Sequence, residues 1–193
     1  MNRSFAIGVL DLRRPEVKAV PSTSTLQRYF AGISEYVFQA QLGVVDPQLI
    51  EYVTDLLLRF VRVDAIHKVR NLTGRPLTEV AEMLAEANSR VGSARREVHR
   101  HIGDFTLFWT GVYPEALREL RSEQHRDHFI DYCAQGKRAY FIASTMEADE
   151  RTMPSCAILE RLSHQFEMCA YGLREVRREW ERRDDDQRAL LVE

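Results

Sequence analysis

Three side chains have the types and spacing to do chemistry: Asp64, His67 and His101. A helix turns by about 100° per residue, and at that angle Asp64 and His67 fall in one stripe with Leu49, Val53, Leu57 and Phe60. Glu51, Asp55 and Arg59 fall on the other side. A charge inside a buried stripe costs on the order of several kcal/mol unless a partner satisfies it. Asp64 and His67 are also three residues apart, so their side chains converge as in a carboxylate-x-x-His metal pair. On a later helix His101 sits beside Val98, Phe105 and Phe108, while His99 projects to another side. Glu97 and Asp104 lie at the edge of that stripe within reach of His101, and His125 and Glu147 extend the inward line of a third helix at its two ends.

Carboxylate and imidazole ligands suit zinc or iron, and an open coordination position would permit hydrolysis or oxygen chemistry. A two-metal centre needs a second carboxylate-x-x-His pair, and only one lies on an inward face. His67 beside Asp64 is equally a general base oriented by a carboxylate. The competing expectation is a buried hydrogen-bonded network, including an arginine, that fixes helix register and performs no chemistry. Glu160, His164 and Glu167 have metal-like spacing, but they face away from Leu159, Leu162 and Phe166 and are discounted as ligands.

The elements that must position these residues are helices. Leu26, Phe30, Ile33, Val37 and Ala40 recur at spacings of three and four, with Ser24 or Thr25 as cap and Gly43 as stop. Asp46-Pro47 opens a second helix that runs to about Arg70. A loop over Asn71 to Pro76 leads to a short helix through Val80, Leu84 and Ala87. Ser93 is the candidate cap of an aromatic helix through Val98, Ile102, Phe105, Trp109 and Val112. The spacing predicts a further helix from about Ser122 to Glu147, with Gly136 in its middle either weakening it or admitting a close neighbour, and a last, longest helix from Met153-Pro154 to Arg183. The expected fold is all-α, an antiparallel bundle of about five to six helices. Residues 1–23 read as an extended N-terminal arm, 24–183 as a single bundle domain and 184–193 as a charged tail.

The 193 residues suffice for one core, and 45% hydrophobic with 29% charged residues is an ordinary globular balance. A net charge of −2 gives no general attraction to nucleic acid or to anionic membranes. Cys133, Cys156 and Cys169 are odd in number without C-x-x-C spacing, which points to small core residues in a reducing compartment. The apolar stretch from Phe5 to Leu10 is too short for a signal-peptide core, and no segment approaches the roughly 20 apolar residues of a membrane span. A cytoplasmic location is therefore expected.

The segment LTEVAEML, Leu77 to Leu84, superficially resembles the first helix of a helix-turn-helix and is followed by Arg90, Arg95, Arg96 and Arg100. That resemblance implies DNA binding, against which stand the acidic net charge and the missing tight glycine turn. The function these patterns favour is an interaction or structural module, with self-association or a protein partner engaged through the N-terminal arm or an outer apolar patch of the last helix at Met168 and Tyr171. The alternative is a zinc- or iron-dependent enzyme with Asp64, His67 and His101 as ligands.

Overall fold

Apolar side chains spaced three and four apart form helices that must each bury one side, and among the described residues seven α-helices do so, in one bundle. The computed structural model describes residues 23–61, 68–71, 73–117, 127, 130–147 and 154–190; for 23, 24 and 185–190 it describes the backbone alone. The helices are α1 (Thr23–Glu35, running into a π-helical segment Tyr36–Gln41), α2 (Pro47–Val61), α3 (Val80–Ser89), α4 (Gly92–Gly111), α5 (Tyr132–Thr145), α6 (Cys156–His164) and α7 (Phe166–Leu190). The arm, except its last residue, lies outside the described residues. Among the described residues no helix is long and apolar enough to cross a membrane.

The punctuation residues act as their chemistry requires. Gly43 takes φ 66° after the first helical unit, a left-handed conformation that side chains with a Cβ rarely adopt. Asp46 Oδ1 accepts the Leu49 backbone N–H at 3.1 Å, one residue before Pro47 begins α2. At α3 the preceding Glu79 makes no capping bond. The cap comes instead from Asp127, 1% exposed, whose two carboxylate oxygens accept the N–H groups of Val80 and Ala81 at 2.8 Å each. Tyr132 donates its hydroxyl to the same carboxylate at 2.6 Å. Three donors thus converge on one buried charge at a helix N-terminus. We expect Asp127→Ala to lower stability by about 2–3 kcal/mol, with amide exchange accelerating first over Val80–Met83. Unchanged protection there would show that the cap is not needed.

α4 is the axle of the fold. It packs against α2, α3, α5 and α7, so most of its circumference is buried from Arg96 onward. α5 lies antiparallel to it at close range: a Cβ on Gly103 would fall 2.6 Å from the Tyr140 ring, and one on Gly136 would collide with Thr106 and Phe166. Gly136 therefore does admit a close neighbour in mid-helix.

Several boundaries differ from the sequence pattern. By Lys68 the chain is no longer helical, because Arg70 joins a small hairpin: it bridges to Pro76, Leu77 N–H bonds to Val69 O at 2.9 Å, and Asn71 Oδ1 ties the turn through Thr73 and Arg75. α4 starts at Gly92, φ 57°, with Val91 rather than Ser93 before it. α5 starts at Tyr132 and not near Ser122, since Asp131 accepts the N–H groups of Cys133 and Ala134 and fixes the N-terminus there. The last predicted helix is two helices broken at Gln165, which lets Leu162 and Phe166 both reach the core at 0% exposure. Its second part continues past Arg183, and the backbone of the charged stretch is helical to Leu190.

Candidate functional site

The strongest convergence of polar groups in the described interior is on Asp104. Its side chain is 3% exposed. Oδ1 accepts the hydroxyls of Tyr52 of α2 at 2.6 Å and Tyr140 of α5 at 2.8 Å. Oδ2 accepts Arg59 Nη2 at 3.1 Å and faces Arg100 Nη1 at 3.7 Å. Arg100 in turn makes two bonds to Glu97, at 3.2 and 2.8 Å, and Glu97 reaches Lys68 at 3.3 Å. Burial works against the charged form of Glu97, yet these two cations hold its carboxyl below the usual value. The chain of charges runs from the surface at Lys68 to the centre of the bundle.

Each member is where its helix must put it. On α4, Glu97, Arg100 and Asp104 are successive three- and four-residue steps along one face. On α2, Tyr52 and Arg59 are two turns apart on the side facing α4, and the Arg59 guanidinium lies 5.4 Å from the Tyr52 ring centroid. On α5, Tyr140 lies over Gly103, where the absent side chain lets its ring pass to Asp104. Both phenols have their pKa raised, first by burial and then by the Asp104 charge, so each stays protonated and a donor. The network opens outward on a cleft of about 220 Å³ lined by Glu51, Tyr52, Asp55, Arg59, Arg100 and Ile158, among others. Chemically this is a saturated carboxylate: two neutral donors and two cations fix it, and it ties three helices in one register.

Asp64, His67 and His125 lie outside the described residues. His101 is 2% exposed, stacked on Phe60 with ring centroids 5.9 Å apart and an interplanar angle of 22°, and it also neighbours Phe105. Asp104 is near it in sequence but turns to the phenols and arginines. Glu97 joins the network at its outer end, and Glu147 is exposed. Among the described residues no three His, Cys, Asp or Glu side chains cluster as metal ligands. Glu160, His164 and Glu167 are exposed, as the projection required.

His99 departs from its expected place: it is 3% exposed. A one-sided projection sends it away from the apolar stripe, but α4 is covered on nearly every side. The same cover takes Arg96 (2% exposed) and Arg100 (9%) out of the solvent-facing arginine row. The link from α3 to α4 is short and α4 opens on a left-handed glycine, Gly92, yet the helix it begins is buried. On α7, Met168 packs against the core and Tyr171 is half exposed among the charged Glu167, Arg174, Glu175 and Arg178.

Sequence reasoning missed Tyr52, Arg59 and Tyr140 as partners of Asp104. Arg59 was readable only as part of a polar face, and a tyrosine in an apolar stripe looks like any other aromatic. The available signal was the acid itself, one residue before Phe105 in the most aromatic helix, which demands donors from neighbouring helices.

The cysteines are free thiols. Burial pushes Cys169 up to about 12, and burial with the adjacent Glu167 carboxylate pushes Cys133 up to about 11. Since the thiolate is the reactive form, we expect a thiol reagent at pH 8 to leave Cys169 unmodified in the native protein and to label it at once in denaturant. Rapid native labelling of all three would contradict the packing at Cys169. A scan of the chain against protein-family models matches none, and comparisons with curated proteins and with solved structures return no match.

Proposed function

We propose that this protein is an interaction module, a bundle held in one register that associates with a second copy of itself through the last helix and the N-terminal arm. The observation that carries this reading is the saturation of Asp104, whose three hydrogen-bond donors from α2 and α5, with the Arg100 cation of its own helix, commit the central polar group to holding helices together. Other polar side chains serve the same end: Arg161 of α6 bonds Asp46 and Gln48 beside α2, and Arg177 of α7 bonds Val112 O and Glu115 after α4. Tyr171, half exposed on the outer side of α7, is the contact residue this reading selects. Light scattering on the full chain at tens of micromolar should give about twice the 22.5 kDa monomer mass, and Tyr171→Glu should return it to monomer with unchanged helical circular dichroism. A strictly monomeric wild type would overturn the reading.

A second reading keeps one specific observation in its favour. His101 stacks on Phe60, and Asp64 and His67 follow Phe60 at four and seven residues, so a metal site of Asp64, His67 and His101 would lie at the end of α2. Zinc or iron bound stoichiometrically to untagged protein and lost in His67→Ala would support it. A chain that takes up neither metal on reconstitution would remove it.

A further inference from the structure

The least compensated polar groups of the described interior lie in the first half of α4. Arg96 carries a permanent charge at 2% exposure, and of its guanidinium only Nη2 is engaged, donating to Pro154 O at 2.7 Å. Its Nε and Nη1 are buried with no hydrogen-bond partner among the described residues. One turn on, both ring nitrogens of His99 are in the same condition, as is Nε of Arg95 one turn before it. Burial first, then the charges of Arg95 and Arg138, hold the His99 imidazole below its usual pKa. No carboxylate among the described residues pairs with any of these three arginines.

A buried donor without a partner calls for a water or an ion. The choice between them follows from charge. Water would satisfy a donor and leave the guanidinium charge uncompensated, whereas an anion does both. The arrangement also selects the kind of anion. Neutral His99 offers one N–H donor and one bare nitrogen acceptor. A monohydrogen phosphate group matches both, since its oxygens accept from Arg96 and from the imidazole N–H while its P–OH donates to the other ring nitrogen. The antiparallel register that sets Gly103 under Tyr140 puts the small Ala143 one turn further along, at the level of His99.

We propose that Arg96 and His99, with Arg95 adjoining, form a binding site for a phosphate group at the first turns of α4 where it packs on α5. This site is separate from the Asp104 network and does not depend on the protein's self-association.

The test uses the full chain and inorganic phosphate. At constant ionic strength and about ten times Kd, phosphate should raise Tm by roughly 3–5 °C over chloride and should broaden its own phosphorus-31 resonance in proportion to protein. Arg96→Gln should abolish both effects. Should that variant fail to fold, His99→Gln, which keeps size and polarity, should weaken phosphate binding at least tenfold. Sulfate, lacking the proton, should stabilise less than phosphate, and acetate less again. No response to phosphate beyond chloride would overturn the proposal and assign the buried donors to water. Stabilisation by acetate equal to that by phosphate would overturn the choice of anion, and a response that survives in both variants would overturn the site.

Discussion

Asp104→Ala should lower the free energy of unfolding by about 3–5 kcal/mol, the usual cost of removing one partner from a buried ion pair, read as a shift of the urea midpoint. The size follows from what is left behind. Two buried phenols lose their acceptor, and Arg100, with a side chain 10% exposed, loses one of its two acids. Arg59, at 38%, can turn to water and contributes less. Tyr52→Phe or Tyr140→Phe removes a donor and leaves Asp104 its others, so each should cost about 1–2 kcal/mol. Removing both sides is the sharper experiment: Asp104→Leu combined with Tyr52→Phe and Tyr140→Phe should recover part of the loss, because no phenol is then stranded. A triple variant as unstable as the sum of its parts would argue against a network held by mutual satisfaction.

The same phenols set a pH dependence. Their folded-state pKa values lie above the ordinary value of about 10, raised by burial and by Asp104. Above that value the unfolded chain loses phenolic protons that the native state keeps, so stability present below about pH 10 declines as pH rises further. Tyr52→Phe should flatten this alkaline decline. An equally steep decline in that variant would assign the effect to other groups.

The distribution of what was legible in the sequence has a physical cause. Periodicity and caps are local, so the all-α fold, the Asp46-Pro47 start, the Gly43 stop and the outward turn of Glu160, His164 and Glu167 could all be read from neighbours within one turn. Projection onto a helical wheel assumes one buried side, and that holds for α6, where Leu159 and Leu162 are buried while Glu160 and His164 are exposed. It fails for α4, where packing on several sides buries His99, Arg96 and Arg100 as well as the stripe. Asp104 was visible at the edge of the apolar stripe, but its partners Tyr52 and Tyr140 stand 52 and 36 residues away in sequence, and no local pattern specifies which helix supplies a donor. The break at Gln165 was hidden for a related reason: Leu162, Phe166 and Cys169 keep helical spacing across it, so the apolar stripe continues while the backbone does not. Asp127 illustrates the limit most simply, since a cap borrowed from 47 residues away leaves no trace beside the helix it caps.

The second large effect is expected at Gly136. In an exposed helix interior, replacing glycine with alanine gains about 0.5–1 kcal/mol from the lost freedom of the unfolded chain. Gly32 in α1, with nothing within 4 Å of a Cβ, should behave that way. At Gly136 a Cβ would stand 2.6 Å from Phe166 Cζ and closer still to Phe166 Cε2 and Thr106 Oγ1. Neither neighbour can move freely. Thr106 Oγ1 donates to Ile102 O at 2.7 Å within α4, and Phe166, fully buried, follows the Gln165 break that turns α6 into α7. Overpacking by a single carbon costs about 1–3 kcal/mol, which already offsets the gain in helix propensity. Gly136→Val adds two more carbons and a stiff branched side chain, and should lower stability by about 3 kcal/mol or more. Because α5 must then part from α4, Tyr140 would be drawn from Asp104, and the variant should lose much of the further penalty of Asp104→Ala when the two are combined. Strict additivity of the two substitutions would show that the glycine contact and the carboxylate network hold the α4–α5 interface independently.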